Sequence, residues 1–176
     1  MHFTQTDLEG VWLIEASPAV DERGSFARTF SIDEMERHGL ESRFVQHSLS
    51  RSRQKHTLRG LHFQEAPHGE VKLVSCLKGA IFDVAVDLRP QSRNYRRWVA
   101  AELSEGNMRQ FYIPKGFAHG FLSLTDDVAV SYLISSRYEP AAGRGIRYDD
   151  PALGIEWPAA PAAISEKDRA WPLLSG

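Results

Sequence analysis

The chain has 176 residues, enough for one domain with a substantial core, and its composition is that of an ordinary soluble globular protein. A formal net charge of -2 and the lack of any long basic run argue against a nucleic-acid or anionic-membrane surface. A single cysteine, Cys76, excludes an intrachain disulfide framework; with no signal-peptide pattern over Met1–Asp7 and no apolar run of membrane-spanning length, a cytoplasmic location is expected.

In chain order, Gly10 to Ala16 is predicted to be a strand, Asp21-Glu22-Arg23-Gly24 a turn, and Phe26 to Phe30 a second strand. Ser31-Ile32-Asp33-Glu34 has the form of a capping box, with Gly39 as the helix stop. Arg43 to Leu49 returns to strand, and Ser50 to His56 reads as a polar, basic loop. Thr57 to Gln64 is a strand of mixed character. Strict alternation places its Arg59 and His62 on opposite faces, and Gly60 between them marks a bulge or a close backbone approach. Val71–Leu77 and Ala80–Leu88, separated by Lys78-Gly79, look like a hairpin. In its second strand Ile81, Asp83, Ala85 and Asp87 share one face, compatible either with solvent or with a polar cavity. Further strands are expected at Arg97–Leu103, Arg109–Ile113, Gly120–Leu124 and Val128–Ser135. Beyond Tyr138 the chain is rich in Pro, Ala and Gly. Ile146, Tyr148, Leu153, Ile155 and Trp157 give it apolar anchors, so it is expected to wrap the domain in an ordered way. Many short strands with one clear helix predict a single all-β sandwich or barrel over residues 1–176, able to hold one ligand in its mouth.

The chemistry-bearing residues lie on those apolar strands. Taken alone, His62 reads as a hydrogen-bonded core histidine, and Cys76 as a small core residue rather than a nucleophile. His62, Lys72, Asp83, His119 and Tyr132 together would make an unusually polar interior, which points to a functional cavity. A metal triad would have to be drawn from His62, His68, Glu70 and His119, without any His-x-His pair. No Gly-x-Ser-x-Gly nucleophile elbow is present. A histidine base, an orienting carboxylate, a lysine cation and a tyrosine acid form a better-matched kit, one for moving protons next to a carbonyl.

Pro114-x-Gly116-x-x-His119 resembles the second cupin motif, while the first, which supplies metal ligands, is degraded around His62. More specifically, Leu58-Arg59-Gly60-Leu61-His62-Phe63-Gln64, Lys72-Leu73-Val74, Ile81–Asp87, Ile113–Phe121, Asp149-Asp150-Pro151 and Ser165-Glu166-Lys167-Asp168 resemble the dTDP-4-dehydrorhamnose 3,5-epimerases, from about Gly10 to Leu174. The resemblance implies a jelly-roll (cupin) barrel, no metal or other cofactor, and a homodimer whose N-terminal strand crosses to the partner. It implies a nucleotide-linked 4-keto sugar as substrate. His62 would be the base oriented by Asp168, Tyr132 the opposing acid, and Lys72 the cation near the C4 oxygen. Arg23, Gln46, Arg59, His119 and Lys167 fall at positions matching the family's ligand contacts, with Asp83 supporting the same network and Tyr138 stacking or packing at its edge. Arg28, Ser48 and Gly143 depart from the family's usual Glu, Asn and Glu, and the Ser50–His56 loop is slightly longer. The reaction type is thereby better founded than the nucleotide or the number of centres inverted. The competing readings are a single-site epimerase, a 3,4-ketoisomerase, against which Tyr132 argues, and a non-catalytic sugar-binding cupin.

Overall fold

A computed structural model describes residues 1–174. The strands are β1 His2–Gln5, β2 Trp12–Glu15, β3 Ala19–Asp21, β4 Gly24–Phe26, β5 Gln46–Ser52, β6 Thr57–Gln64 and β7 Lys72–Lys78. They continue with β8 Ala80–Asp87, β9 Trp98–Ser104, β10 Arg109–Ile113, β11 Phe117–Ser123, β12 Val128–Ile134, β13 Gly143–Gly145 and β14 Ala163–Ile164; the helices are α1 Ile32–Arg37 and α2 Glu166–Arg169. One sheet runs β1-β2-β10-β7-β12-β5, the other β13-β6-β11-β8-β9 with β14 against β6, and β3-β4 form a separate hairpin. This is the expected jelly roll.

Alternation decides what lies between the sheets. Val74, Phe111 and Val130 from the first sheet meet Ile81, Ala85 and Phe121 from the second, all buried. Asp83 and Asp87 share the face of Ile81 and Ala85 and are fully buried, so the acidic face of β8 points inward rather than to water. The other face of β8 is buried too. Val84 and Val86 pack under the C-terminal wrap, where Ile146, Leu153, Ile155 and Trp157 serve as the anchors expected of them. A third cluster seats α1, through Met35, on the outside of the first sheet with Ile14, Leu73 and Tyr112.

Four local expectations are corrected. The β7 and β8 segments do not pair: β7 lies between β10 and β12, β8 between β11 and β9, and Gly79 (φ +74°) turns the chain from one sheet into the other. The loop expected over Ser50–His56 is strand as far as Ser52, while 43–45 lie outside it. Its polar residues misled because β5 is an edge strand pairing only with β12 and bordering a polar cavity on one face. Strand ends at Phe26, not Phe30, whose ring instead packs edge-on against Phe44. Ser31 is the N-cap of α1 but makes no side-chain cap bond; Glu34 pairs with the Met1 ammonium at 3.3 Å. Gly39 does follow the helix end, at φ +69°.

Candidate active site

A cavity of about 600 Å³ opens between the sheets. Gln46, Ser48 and Ser50 of β5, Lys72 of β7 and Tyr132 of β12 line it from the first sheet; Arg59 and His62 of β6 and His119 of β11 line it from the second. Arg59 and His62 are three positions apart, so alternation alone would put them on opposite faces. Gly60, at φ +140°, and a register break against β11 between His119 and Phe121 re-phase the strand, so both side chains reach the cavity. A Cβ on Gly60 would collide with the Gly120 Cα, and one on Gly120 with the Gly60 Cα. The site exists where two bare backbones touch.

His62 Nε2 lies 2.6 Å from Asp168 Oδ1. Asp168 is delivered by α2, whose N-cap Ser165 accepts the Asp168 backbone N–H at 3.0 Å. Burial opposes ionisation of Asp168, but the His62 hydrogen bond and charge, the Gly60 N–H and the Trp171 indole N–H outweigh it and hold the carboxyl below its ordinary range. The carboxylate therefore tethers Nε2, which leaves Nδ1 as the nitrogen open to accept a proton.

Lys72 Nζ pairs with Glu70 Oε1 at 3.0 Å and donates to the His62 carbonyl at 3.4 Å. Glu70 also accepts from Gln64 Nε2 at 3.0 Å, so the ammonium is held in place on the cavity wall. Tyr132 shares a 3.1 Å hydrogen bond between its hydroxyl and Ser50 Oγ and meets the His119 ring edge-on. Burial pushes its phenol well up; the Ser50 bond and the Arg59 charge work against that, while Asp83 adds to it. The cation easing Tyr132 ionisation is thus Arg59.

His119 Nε2 bonds Asp83 Oδ1 at 2.7 Å, a second, fully buried histidine–carboxylate pair. Burial raises Asp83, with His119 and then Lys72 pulling the other way. Asp83 lies behind His119, fully buried and off the cavity wall.

The remaining candidates divide. Gln46, Arg59, His119 and Tyr138 line the cavity. Lys167 sits with its amine 5.2 Å above the Trp171 ring rather than on the cavity wall. Arg23 lies apart on the β3–β4 hairpin, bidentate to Asp21, with 85% of its side chain exposed. Of the departures, Ser48 lines the cavity, a Cβ on Gly143 would stand 3.9 Å from the Tyr138 Cε2 and hydroxyl, and Arg28 is exposed. Cys76 is buried with its thiol pushed up to about 11, mainly by burial, as befits a core residue. Among the described residues no three His, Cys, Asp or Glu side chains converge as a metal site. Sequence reasoning missed Ser50 and Trp171 and considered Glu70 only as a metal ligand. Their signals were spacing: Ser50 continues the Gln46/Ser48 face, Glu70 precedes Lys72 by two, and Trp171 follows Asp168 by three.

A jelly roll whose mouth joins a histidine–aspartate pair, a fixed ammonium and a partly buried phenol has the form of a cupin-type isomerase. A family model for dTDP-4-dehydrorhamnose 3,5-epimerase matches residues 5–176. The epimerase of that name from Methanothermobacter thermautotrophicus is 49% identical over 98% of this chain and 94% of its own. The Bacillus anthracis epimerase crystal structure with TDP and PPi bound superposes with a TM-score of 0.96 at 38% identity, covering 98% of this chain and 99% of that one. The Legionella pneumophila enzyme in complex with dTDP-4-keto-L-rhamnose gives 0.92 at 42% identity, covering 98% and 92%. The chain belongs to the dTDP-4-dehydrorhamnose 3,5-epimerase family.

Proposed function

We propose that this chain epimerises C3 and C5 of dTDP-4-dehydro-6-deoxyglucose to give dTDP-4-dehydrorhamnose, through enolates of the C4 ketone. One observation carries the mechanism: His62 and Tyr132 line the same cavity from opposite sheets. A sugar ring lying between them meets a base on one face and an acid on the other. His62 Nδ1 takes the proton from the carbon beside the ketone, and the electron pair of that C–H bond moves onto the C4 oxygen. Lys72 stabilises the oxyanion as charge develops there. Tyr132 gives its proton to the opposite face of the same carbon, forming the new C–H bond with inverted configuration. Proton return from His62 to Tyr132 by way of solvent resets the site, and no redox change occurs.

Asp168 holds the imidazole and balances its charge when protonated. Gln46, Arg59, His119 and Tyr138 contact the substrate, and Lys167 reaches its nucleotide end from α2. The protein works as a cytoplasmic homodimer in which Arg23 of the β3–β4 hairpin approaches the partner's bound pyrophosphate, a group its planar fork fits. That hairpin's six strand residues are all exposed within one chain, which supports its use between chains.

Turnover in heavy water tests the reading. Two solvent deuteria in the product sugar, at C3 and C5, are expected. One deuterium makes the chain a single-site epimerase, and none leaves a sugar-binding module without catalysis.

A further inference from the structure

Trp171 belongs to no step of the mechanism above, yet its placement is specific. Its indole N–H donates to Asp168 Oδ1 at 3.2 Å, the same oxygen that holds His62. Its ring meets the His62 ring edge-on, with centroids 6.3 Å apart. Its face carries the Lys167 ammonium. The seat for the ring is cut in the neighbouring strand: Gly145 lies directly across from His62 in the β13–β6 pairing. A Cβ on Gly145 would overlap the indole Cε2, Nε1 and Cδ2 atoms. The chain just beyond is fixed as well, since the Arg147 N–H donates to the Pro172 carbonyl at 3.1 Å.

We propose that Trp171, seated on Gly145, is a positioning residue that locks the Asp168 carboxylate, and through it the His62 imidazole, in the orientation needed for proton abstraction. This rests on the reading of His62 as base and Asp168 as its partner. The physical reason is the number of restraints. A carboxylate held by one flexible partner can rotate about its side-chain torsions. Asp168 is instead met by the imidazole and the indole on Oδ1 and by the Gly60 N–H on Oδ2 at 3.4 Å. The indole also covers a carboxylate that is already 93% buried as a side chain (7% exposed), which keeps its hydrogen bonds strong. Trp171 itself is not on the cavity wall, so it acts on the sugar only through the dyad.

Trp171→Phe keeps a ring on Gly145 but removes the donor. Gly145→Ala keeps the indole but takes away its seat. With dTDP-4-dehydro-6-deoxyglucose in heavy water, each folded variant is expected to lose about tenfold in kcat, the scale of one hydrogen bond to a charged group. KM is expected to stay unchanged, and deuterium incorporation to slow by the same factor as kcat. Trp171→Phe added to Asp168→Asn should cost nothing further, because the indole would have no carboxylate left to orient. Wild-type kcat in folded Trp171→Phe, a rise confined to KM, or a full additional loss on the Asp168→Asn background each overturns the inference. If Trp171→Phe does not fold, unchanged kcat in Gly145→Ala overturns it instead. Undiminished turnover in Asp168→Asn itself would remove the dyad reading; an impaired Asp168→Asn beside a normal Trp171→Phe removes only the role given to Trp171.

Discussion

The proposed proton transfer turns on two side chains in unlike settings. His62 is partly open to the cavity and tied to a carboxylate, whereas Tyr132 is partly buried on the cavity wall, with its phenol pushed up by desolvation. A buried phenol so placed stays neutral and can donate, but it needs help to lose its proton, and Ser50 and Arg59 supply that help. His62→Asn is near in size and should fold, while turnover falls by at least about a thousandfold, the order expected when a general base is removed; full activity in the folded variant would end the assignment. Tyr132→Phe should still exchange solvent deuterium into the sugar with its configuration kept, because His62 can take a proton and return it from the same side, whereas inversion collapses. Ser50→Ala should slow inversion more than exchange, which NMR of the recovered sugar separates. If Tyr138→Phe rather than Tyr132→Phe abolishes inversion, the acid has been misassigned. His62 and Tyr132 stood out because ionisable groups have few other reasons to sit on apolar strands, whereas Asp168, on α2, came into view only through the family resemblance. Sequence alone cannot tell a carboxylate in the cavity from one that, like Asp83, stands behind a histidine.

The elements that matter most are β6 and β11, which touch at Gly60 and Gly120. Alternation over Thr57–Gln64 was legible, and so was the irregularity at Gly60; its consequence, both Arg59 and His62 on one wall, was not, because re-phasing depends on the partner strand. The β7–β8 hairpin failed for a related reason: Lys78-Gly79 is good turn chemistry, but turn chemistry does not say whether the next strand pairs back or enters the opposite sheet. Gly60→Ala or Gly120→Ala should each lower stability by roughly 2–4 kcal/mol, from backbone overlap and, at Gly60, a strained φ. Denaturant unfolding measures this, and a loss below about 1 kcal/mol would mean the strands can part without cost. A second element-scale prediction concerns pH. Burial opposes ionisation of Asp87 but is outweighed by Arg89 and Ser92, so its carboxyl lies below the ordinary value and clamps the turn after β8. Asp168 is shifted the same way. A depressed carboxyl stabilises the fold above its unfolded value, about 3.9, and that contribution is lost as pH falls through the lower folded value. Stability should therefore drop steeply below about pH 4, and Asp87→Asn should flatten that limb in acid unfolding followed by circular dichroism. An unchanged acid limb in the variant would contradict the clamp.

At the scale of the whole molecule, one part of the chain has no structural reason within a single copy. The β3–β4 hairpin has strands of three residues, Val20 and Phe26 are 76% and 77% exposed, and Arg23 stands at its tip in a solvent-facing pair with Asp21. An isolated two-stranded ribbon of that length is not stable in water. Exposed apolar side chains flanking a guanidinium make sense if a second copy buries the apolar groups and receives the cation at its cavity. The rest of the surface supplies further apolar area on the first sheet and its edge, where Leu49 and Leu77 are more than half exposed. The wild-type protein is accordingly expected to sediment as a dimer at micromolar concentration. Phe26→Asp places a charge where the apolar contact should form, and is expected to shift the dimer toward monomer and to lower kcat/KM together with it. Arg23→Ala should leave the dimer intact and raise KM by about tenfold, the scale of one charge-assisted contact to a phosphate. Sedimentation velocity run beside steady-state kinetics on the same samples separates the two effects. A monomeric wild type whose specific activity does not change on dilution would dismiss the exchanged hairpin, and Arg23 with it.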